Sequence, residues 1–223
     1  ESSLESEYQE MLDKVQFVKN INKSFYLIES LRFENGSIKN LPLHLKRLSK
    51  SAAYFGFHTQ ADKIQNDLNH LNFDSPHKIR LSLYQDGQYN IEHQPLKRLA
   101  PNPKIKISSS TIDSQLVTLA HKTSLRRLYD QEWEKAQKEN YYDLVYFNEK
   151  AELTEASRHN IFLESNNQLY TPPLSSGLLP GIERQIQIQQ GAKEKVLSID
   201  DLKKADKIFL SNSVRGMIEV ELL

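Results

Sequence analysis

The chain has 223 residues, of which 38% are hydrophobic and 26% charged, and its formal net charge is zero. This length is enough for one large domain or two small ones with buried cores, and the balanced charge argues against nucleic acid or an anionic membrane as the main partner. Without cysteine there is no disulfide or thiolate chemistry, and without a long apolar segment there is no transmembrane helix, so we expect a soluble cytoplasmic protein.

The N-terminal part of the sequence predicts strands and helices in alternation. Residues 1–23 are polar and charged with weak helical spacing, which indicates a leader helix or arm. The strand formers of Phe25–Phe33 precede the turn signal ENGS. Apolar residues at helical spacing predict a helix over Leu41–Phe55, and a strand–turn–strand pattern with a DG turn follows at 77–96.

The C-terminal part begins with an amphipathic helix predicted over 124–140. Residues 142–173 predict strands joined by polar turns, and a second helix is expected from Gly181 to about Gly191. The last predicted elements, at 204–222, are a strand, a polar loop that contains glycine, and a final strand.

Short strands mixed with helices indicate an α+β fold in two lobes. Two prolines and a serine cluster favour a boundary near 100–110. We therefore expect a leader (1–23), a small N-terminal α+β domain (24–103) and a larger C-terminal domain (104–223).

Two residues are candidates for catalysis. Lys122 follows an apolar run and precedes Arg126 and Arg127. Burial or nearby cations lower the pKa of a lysine and leave neutral amine for Schiff-base formation, although from these residues alone a charge on a solvated helix face is also possible. Glu155 is flanked by strand formers and could pair with a cationic ring nitrogen or lie in an exposed turn.

Two loops are candidates for binding an anion. Gly181 and Ile182 stand at a predicted helix start, where free N–H groups and the helix dipole favour a phosphate. Asn212 and Ser213 follow a predicted strand and offer polar side chains and N–H groups. The chain lacks a P-loop, a dinucleotide fingerprint, a hydrolase elbow and histidines at metal-binding spacing, so we expect no metal.

Several motifs occur along the chain in one order. They are Glu-Ser-Leu-Arg at 29–32, His-Leu-Lys-Arg-Leu at 44–48, His-Lys-Thr-x-x-Arg-x-x-Tyr at 121–129, Asn-Glu at 148–149, Glu-Leu-Thr-Glu at 152–155, Asn-Ile-Phe at 160–162, Thr-Pro-Pro at 171–173, Gly-Leu-Leu-Pro-Gly-Ile-x-Arg at 177–184 and Asn-Ser-x-Arg-Gly at 212–216. This series resembles the fold-type IV pyridoxal-phosphate enzymes, in particular the aminodeoxychorismate lyase-like proteins. The likeness covers about residues 24–222 and implies the two-lobed fold of D-amino acid aminotransferase and its relatives, with a small N-terminal and a larger C-terminal domain.

The resemblance implies a role for each matching residue. Lys122 would hold pyridoxal phosphate as the Schiff-base lysine and move the α-proton of the substrate, and Glu155 would pair with the pyridine nitrogen. The other implied roles are phosphate binding by Arg47, Asn212, Ser213 and the backbone of Ile182 and Glu183, substrate carboxylate binding by Arg126 and Arg215, and lining of the site by Ser30 and Arg32.

Two of these positions depart from the family pattern. Ser30 stands where threonine is usual, which keeps the hydroxyl. Glu183 stands where related transaminases often have threonine, so its carboxylate is expected to point away from the phosphate while its N–H remains available.

The resemblance predicts a lyase that converts 4-amino-4-deoxychorismate to p-aminobenzoate and pyruvate for folate biosynthesis. The first alternative is an aminotransferase of branched-chain or D-amino acids on the same scaffold, and the second is a binding protein that has lost the cofactor. A homodimer with the site near the subunit interface is also implied.

Overall fold

The computed structural model describes residues 25–223, and the predicted leader (1–23) lies outside the described residues. The N-terminal elements form a four-stranded antiparallel sheet, in the order β2-β1-β3-β4, with two helices packed on it. These elements are β1 (Leu27–Glu34), β2 (Ser37–Ile38), α1 (Leu41–Phe55), α2 (Ala61–Asn69), β3 (His77–Leu83) and β4 (Tyr89–Pro95).

Strand β1 has one face in the core and one face toward a cavity. Leu27, Leu31 and Phe33 pack into the hydrophobic core beneath α1, whereas Ile28 and Ser30 line the cavity on the other side. This arrangement follows from the period of two in a strand, which sends alternate side chains to opposite faces.

The predicted N-terminal elements are confirmed, with one addition. Helix α1 has proline in its first turn, and it ends at Gly56, whose left-handed backbone (φ 70°) lets its N–H donate to the carbonyl of Ala52. The hairpin β3–β4 turns at the predicted DG pair. Helix α2 was not predicted, because only Ile64 and Leu68 carry its buried face.

The C-terminal elements form an eight-stranded mixed sheet in the order β10-β9-β8-β11-β12-β5-β6-β7, in which β8 also pairs with β7. Two short 3₁₀ turns, Val117–Ala120 and Leu174–Ser176, precede Lys122 and the helix that begins at Ile182, respectively. The elements are β5 (Lys104–Ile112), α3 (Arg127–Lys138), β6 (Asp143–Asn148), β7 (Leu153–Ala156), β8 (Asn160–Ser165), β9 (Gln168–Thr171), α4 (Ile182–Gln189), β10 (Lys193–Glu194), α5 (Ile199–Lys204), β11 (Lys207–Asn212) and β12 (Gly216–Leu222).

The segment around Lys122 joins the two lobes. The N–H of Ile28 donates to the carbonyl of Lys122 at 2.8 Å, and the N–H of Ser124 donates to the carbonyl of Tyr26 at 2.9 Å. Because this segment pairs with β1, the helix predicted from residue 124 begins only at Arg127. Among the described residues no helix has the length and apolar character needed to cross a bilayer.

We expect Gly177→Ala to lower the free energy of unfolding by about 2–4 kcal/mol, because an added Cβ would meet the Cα of Ser114 at 2.7 Å on a backbone with φ +86°. Gly36→Ala is the matched control, because Gly36 has φ +75° and no atom within 4 Å of the added Cβ. It should cost only about 1 kcal/mol. Urea unfolding of both variants measures the difference, and equal losses would contradict the packing explanation.

Candidate active site

A cavity of about 830 Å³ lies between the two lobes. It brings together nine of the eleven residues that the sequence predicted for the site: Ser30, Arg47, Lys122, Arg126, Glu155, Ile182, Asn212, Ser213 and Arg215. Arg32 and Glu183 lie outside its lining.

The side chain of Lys122 is half-buried at the wall of this cavity, beside cations. Burial lowers the pKa of its amine to about 7, and the charges of Arg126 and Arg47 act in the same direction, while Glu29 and Glu155 oppose them. A substantial fraction of this amine is therefore neutral, and nucleophilic, near neutral pH.

Glu155 is the buried carboxylic acid of the same cavity. Its Oε2 accepts hydrogen bonds from the N–H of Leu179 at 3.1 Å and from Nδ2 of Asn160 at 3.2 Å. Burial raises its pKa to about 7, although the charges of Arg126 and Lys122 work against that rise. The register of β7 and β8 places Glu155 directly opposite Asn160 across the tight turn that joins the strands.

Arg126 is a cation whose charge acts on both of these groups. Its Nη2 donates to the carbonyl of Ser157, and its Nε lies 3.7 Å from the carboxylate of Asp130. Its positive charge favours the neutral form of Lys122 and the ionised form of Glu155.

Arg47 is held by a buried carboxylate that sequence reasoning missed, that of Glu29. Nε and Nη2 of Arg47 donate to the two carboxylate oxygens at 2.9 and 2.6 Å, and Nη1 donates to the carbonyl of Pro180 at 3.2 Å. Burial favours a higher pKa for Glu29, but the charge of Arg47 and hydrogen bonds from His44 and Arg47 lower it to about 2. The sequence signal that could have identified Glu29 is its position: it is a charged residue on the inward face of β1, between Leu27 and Leu31.

The N-terminus of α4 opens onto the cavity through Gly181 and Ile182. A side chain at Gly181 would collide with Oδ1 of Asn160, 2.0 Å from an added Cβ, so this approach requires glycine. The carboxylate of Glu183 accepts a hydrogen bond from Nε2 of Gln187, one turn along the helix, at 2.9 Å. The first N–H groups of the helix have no partner within it and can bind an anion.

The loop after β11 is fixed by its own asparagine. Oδ1 of Asn212 accepts from the N–H groups of Val214 and Arg215 at 3.0 and 2.9 Å. Arg32 supports this loop instead of lining the cavity: its Nη1 donates to the carbonyl of Val214 at 3.3 Å, and its Nη2 pairs with Glu34 at 2.5 Å. Arg215 donates to the carbonyl of Lys97 at 2.5 Å.

The turn between β7 and β8 is held by a second buried carboxylate that the sequence did not reveal. Asp143 accepts from the N–H groups of Ser157 and Arg158 at 3.0 and 3.2 Å, and from Nδ1 of His159 at 2.6 Å. This turn lies between Glu155 and Asn160, so Asp143 helps to fix the geometry of the acid.

The cavity wall is strongly cationic. Carboxylates on it are Asp130, Glu134 and Glu155. Basic side chains on it are Arg47, Lys78, Arg80, Lys97, Lys122, Arg126, Arg158 and Arg215. Eight basic side chains against three acidic ones favour an anionic ligand.

A family model described as Amino-transferase class IV matches residues 26–223. A Schizosaccharomyces pombe protein named "Putative aminodeoxychorismate lyase" is 27% identical over 204 residues, which cover 85% of this chain and 86% of that protein. A Mesorhizobium loti structure described as a "Putative amino-acid aminotransferase" has a TM-score of 0.84 and 33% identity, and the match covers 89% of this chain and all of that one. A Legionella pneumophila structure described as a "Putative 4-amino-4-deoxychorismate lyase" has the same fold (TM-score 0.74, 23% identity, 88% and 82% coverage).

In the protein without bound ligand, we expect the reaction of Lys122 with trinitrobenzenesulfonate to increase through pH 7 and level off above about pH 8, because only the neutral amine attacks. A solvated lysine, with a pKa of about 10.4, would continue to gain reactivity well above that pH. Peptide mass spectrometry over a pH series measures the modification.

The variant Arg126→Gln tests the cause of this shift. Removing the neighbouring positive charge should move the midpoint for Lys122 to higher pH. An unchanged midpoint would mean that the charge of Arg126 does not contribute to the lowered pKa.

Proposed function

The chain belongs to the class IV aminotransferases, which are pyridoxal-phosphate enzymes, and on this basis we propose that it is a 4-amino-4-deoxychorismate lyase that releases p-aminobenzoate and pyruvate. The observation that carries the choice of reaction is the cationic cavity, in which seven other basic side chains and three acidic ones surround a reactive lysine. The proposed substrate has two carboxylates, which such a wall attracts.

The residues of the cavity fit pyridoxal phosphate. Lys122 supplies an amine of lowered pKa for covalent attachment, and Glu155 supplies a buried carboxyl group for the pyridine nitrogen. Arg47 and the N–H groups at the start of α4 would hold the phosphate, with Asn212 and Ser213 on the same cavity wall. When bound, this cofactor withdraws electrons from the carbon that carries the substrate's amino group.

Lys122 would act as the acid and base of the reaction. Its Nζ would accept the proton from the ring carbon that carries the amino group, and a pKa near neutrality suits that transfer. The C–O bond to the enolpyruvyl group then breaks and the ring becomes aromatic. The leaving enolpyruvate gains one proton at its methylene carbon and becomes pyruvate. One proton is thus removed from the ring and one is added to the leaving group, so no co-reactant is needed.

Glu155 would keep the pyridine nitrogen protonated. Its carboxylate is fixed by the N–H of Leu179 and by Asn160, so it cannot turn away from the cavity. A cationic nitrogen beside it would favour the ionised carboxylate, which reverses the effect of burial on its pKa.

An amino-acid aminotransferase is the second candidate, favoured by the 33% identity with the Mesorhizobium loti structure. An aliphatic amino acid requires an apolar side-chain pocket, and the wall here has apolar side chains such as Ile28, Leu96 and Leu179. The excess of basic side chains on the same wall is what favours a dianionic substrate. The Schizosaccharomyces pombe relative, matched over most of both chains, supports the lyase. Together with the lyase activity, we propose that the protein is a cytoplasmic homodimer and that it supplies p-aminobenzoate for folate synthesis.

We expect the purified protein to release p-aminobenzoate from 4-amino-4-deoxychorismate without an added keto acid, and Lys122→Ala to lose this activity together with the visible absorbance of the attached cofactor. Fluorescence of the product and an absorbance spectrum before and after borohydride measure the two effects. Activity seen only when an amino acid and a keto acid exchange their amino group would contradict the lyase and favour the second candidate.

We expect Glu155→Gln to keep the attached cofactor but to lose about 100-fold in kcat, because an amide does not stabilise a protonated pyridine nitrogen. The amide still accepts the hydrogen bond from the N–H of Leu179, so the fold should persist. Glu164→Gln, outside the cavity lining, is the control and should leave kcat unchanged. Wild-type kcat in Glu155→Gln would remove Glu155 from the proposed chemistry.

A further inference from the structure

The outer end of the cavity carries a group of cations that the proposed chemistry does not use. Lys78 and Arg80 are two residues apart on β3, so both point to the same face, while Ile79 and Leu81 between and beyond them are buried in the core. Among the described residues, neither Lys78 nor Arg80 forms a salt bridge.

Arg158 faces these two cations from the opposite lobe. Its guanidinium lies 3.5 Å from the centre of the Trp133 ring, which orients it, and 3.8 Å from Asp130. Its backbone is fixed as well, because its N–H donates to Asp143 and its carbonyl accepts from Nδ2 of Asn212 at 3.3 Å. The guanidinium is therefore presented to the cavity by a rigid support.

Different cations of the cavity act on Lys78 and on Lys122. Partial burial lowers the pKa of Lys78, and the charges that add to this effect are those of Arg158, Arg80 and Arg215. The charges that act on Lys122 are those of Arg126, Arg47, Glu29 and Glu155. The cations around Lys78 thus differ from those around Lys122, and the two sets adjoin where Arg126 and Arg158 share Asp130.

This outer group carries an excess of positive charge. Its neighbouring carboxylates are Asp130, which is shared with Arg126 (Nε 3.7 Å away), and Glu92, which lies opposite Arg80 in the β3–β4 register but forms no salt bridge with it. Bringing partly buried like charges together costs free energy that a bound anion would offset.

We propose that Lys78, Arg80 and Arg158 form a second anion-binding subsite, which takes a carboxylate of the substrate remote from the carbon that Lys122 deprotonates. The inference rests on the proposed function in placing the reacting carbon at Lys122. The subsite selects dianionic substrates over amino acids with one carboxylate.

Binding of two matched anions to the holoenzyme tests the subsite. The probes are cyclohexane-1,3-dicarboxylate and cyclohexanecarboxylate, with affinities measured by calorimetry and location by fluorescence of Trp133, the sole tryptophan of the chain. We expect the dicarboxylate to bind at least about tenfold more tightly and to change the Trp133 emission, since one charge-assisted contact accounts for such a factor. Equal affinities, or tight binding without a change in emission, would overturn the subsite.

The double variant Lys78→Gln/Arg80→Gln should reduce the preference for the dicarboxylate to less than about twofold, with little effect on the monocarboxylate. Lys203→Gln removes an exposed charge from α5, outside the cavity, and should keep the full preference. Circular dichroism and the visible absorbance of the cofactor verify that the variants are folded and loaded. If Lys203→Gln lost the preference as fully as the double variant, general charge and not the subsite would be responsible.

The product assay separates the two proposals. A protein that releases no p-aminobenzoate but prefers the dicarboxylate supports the subsite and contradicts the lyase. A protein that releases p-aminobenzoate without that preference overturns the subsite alone.

Discussion

The pairing of the Lys122 segment with β1 is the constraint on which the site depends. Two backbone hydrogen bonds, from Ile28 to Lys122 and from Ser124 to Tyr26, fix the reactive amine where the lobes meet. On the same strand, Glu29 holds Arg47, whose charge then acts on Lys122. A chain segment without regular structure thus obtains the rigidity that the proposed role of this amine requires.

Much of the fold was predictable because its elements carry local signals. Helix α1 has apolar residues at helical spacing and a glycine at its end, and the β3–β4 hairpin has alternating residues around a DG turn. The start of α3 was placed too early, because the pairing of residues 122–124 with β1 is a contact between residues about 100 positions apart. Such non-local contacts override helical periodicity and leave no mark in the nearby sequence.

The site, like the fold, has features that local sequence signals predict and features that depend on non-local contacts. Lys122, Glu155 and the start of α4 belong to motifs whose order and spacing are visible in the sequence, and the structure brings them to one cavity. The roles of Glu29 and Asp143 depend on partners 14 to 18 residues away that become neighbours only after folding. Arg32 is the opposite case. Its motif predicted that it lines the site, but its guanidinium donates to the carbonyl of Val214 and holds that loop instead.

The lowered pKa of Lys122 also affects how a newly made chain acquires its cofactor. A neutral amine condenses with aldehydes in general, including uncharged aldehydes of metabolism. The cationic cavity raises the local concentration of anionic aldehydes relative to neutral ones. Maturation of the empty protein is therefore biased toward the phosphorylated vitamin and away from unphosphorylated pyridoxal, before any specific contact has formed.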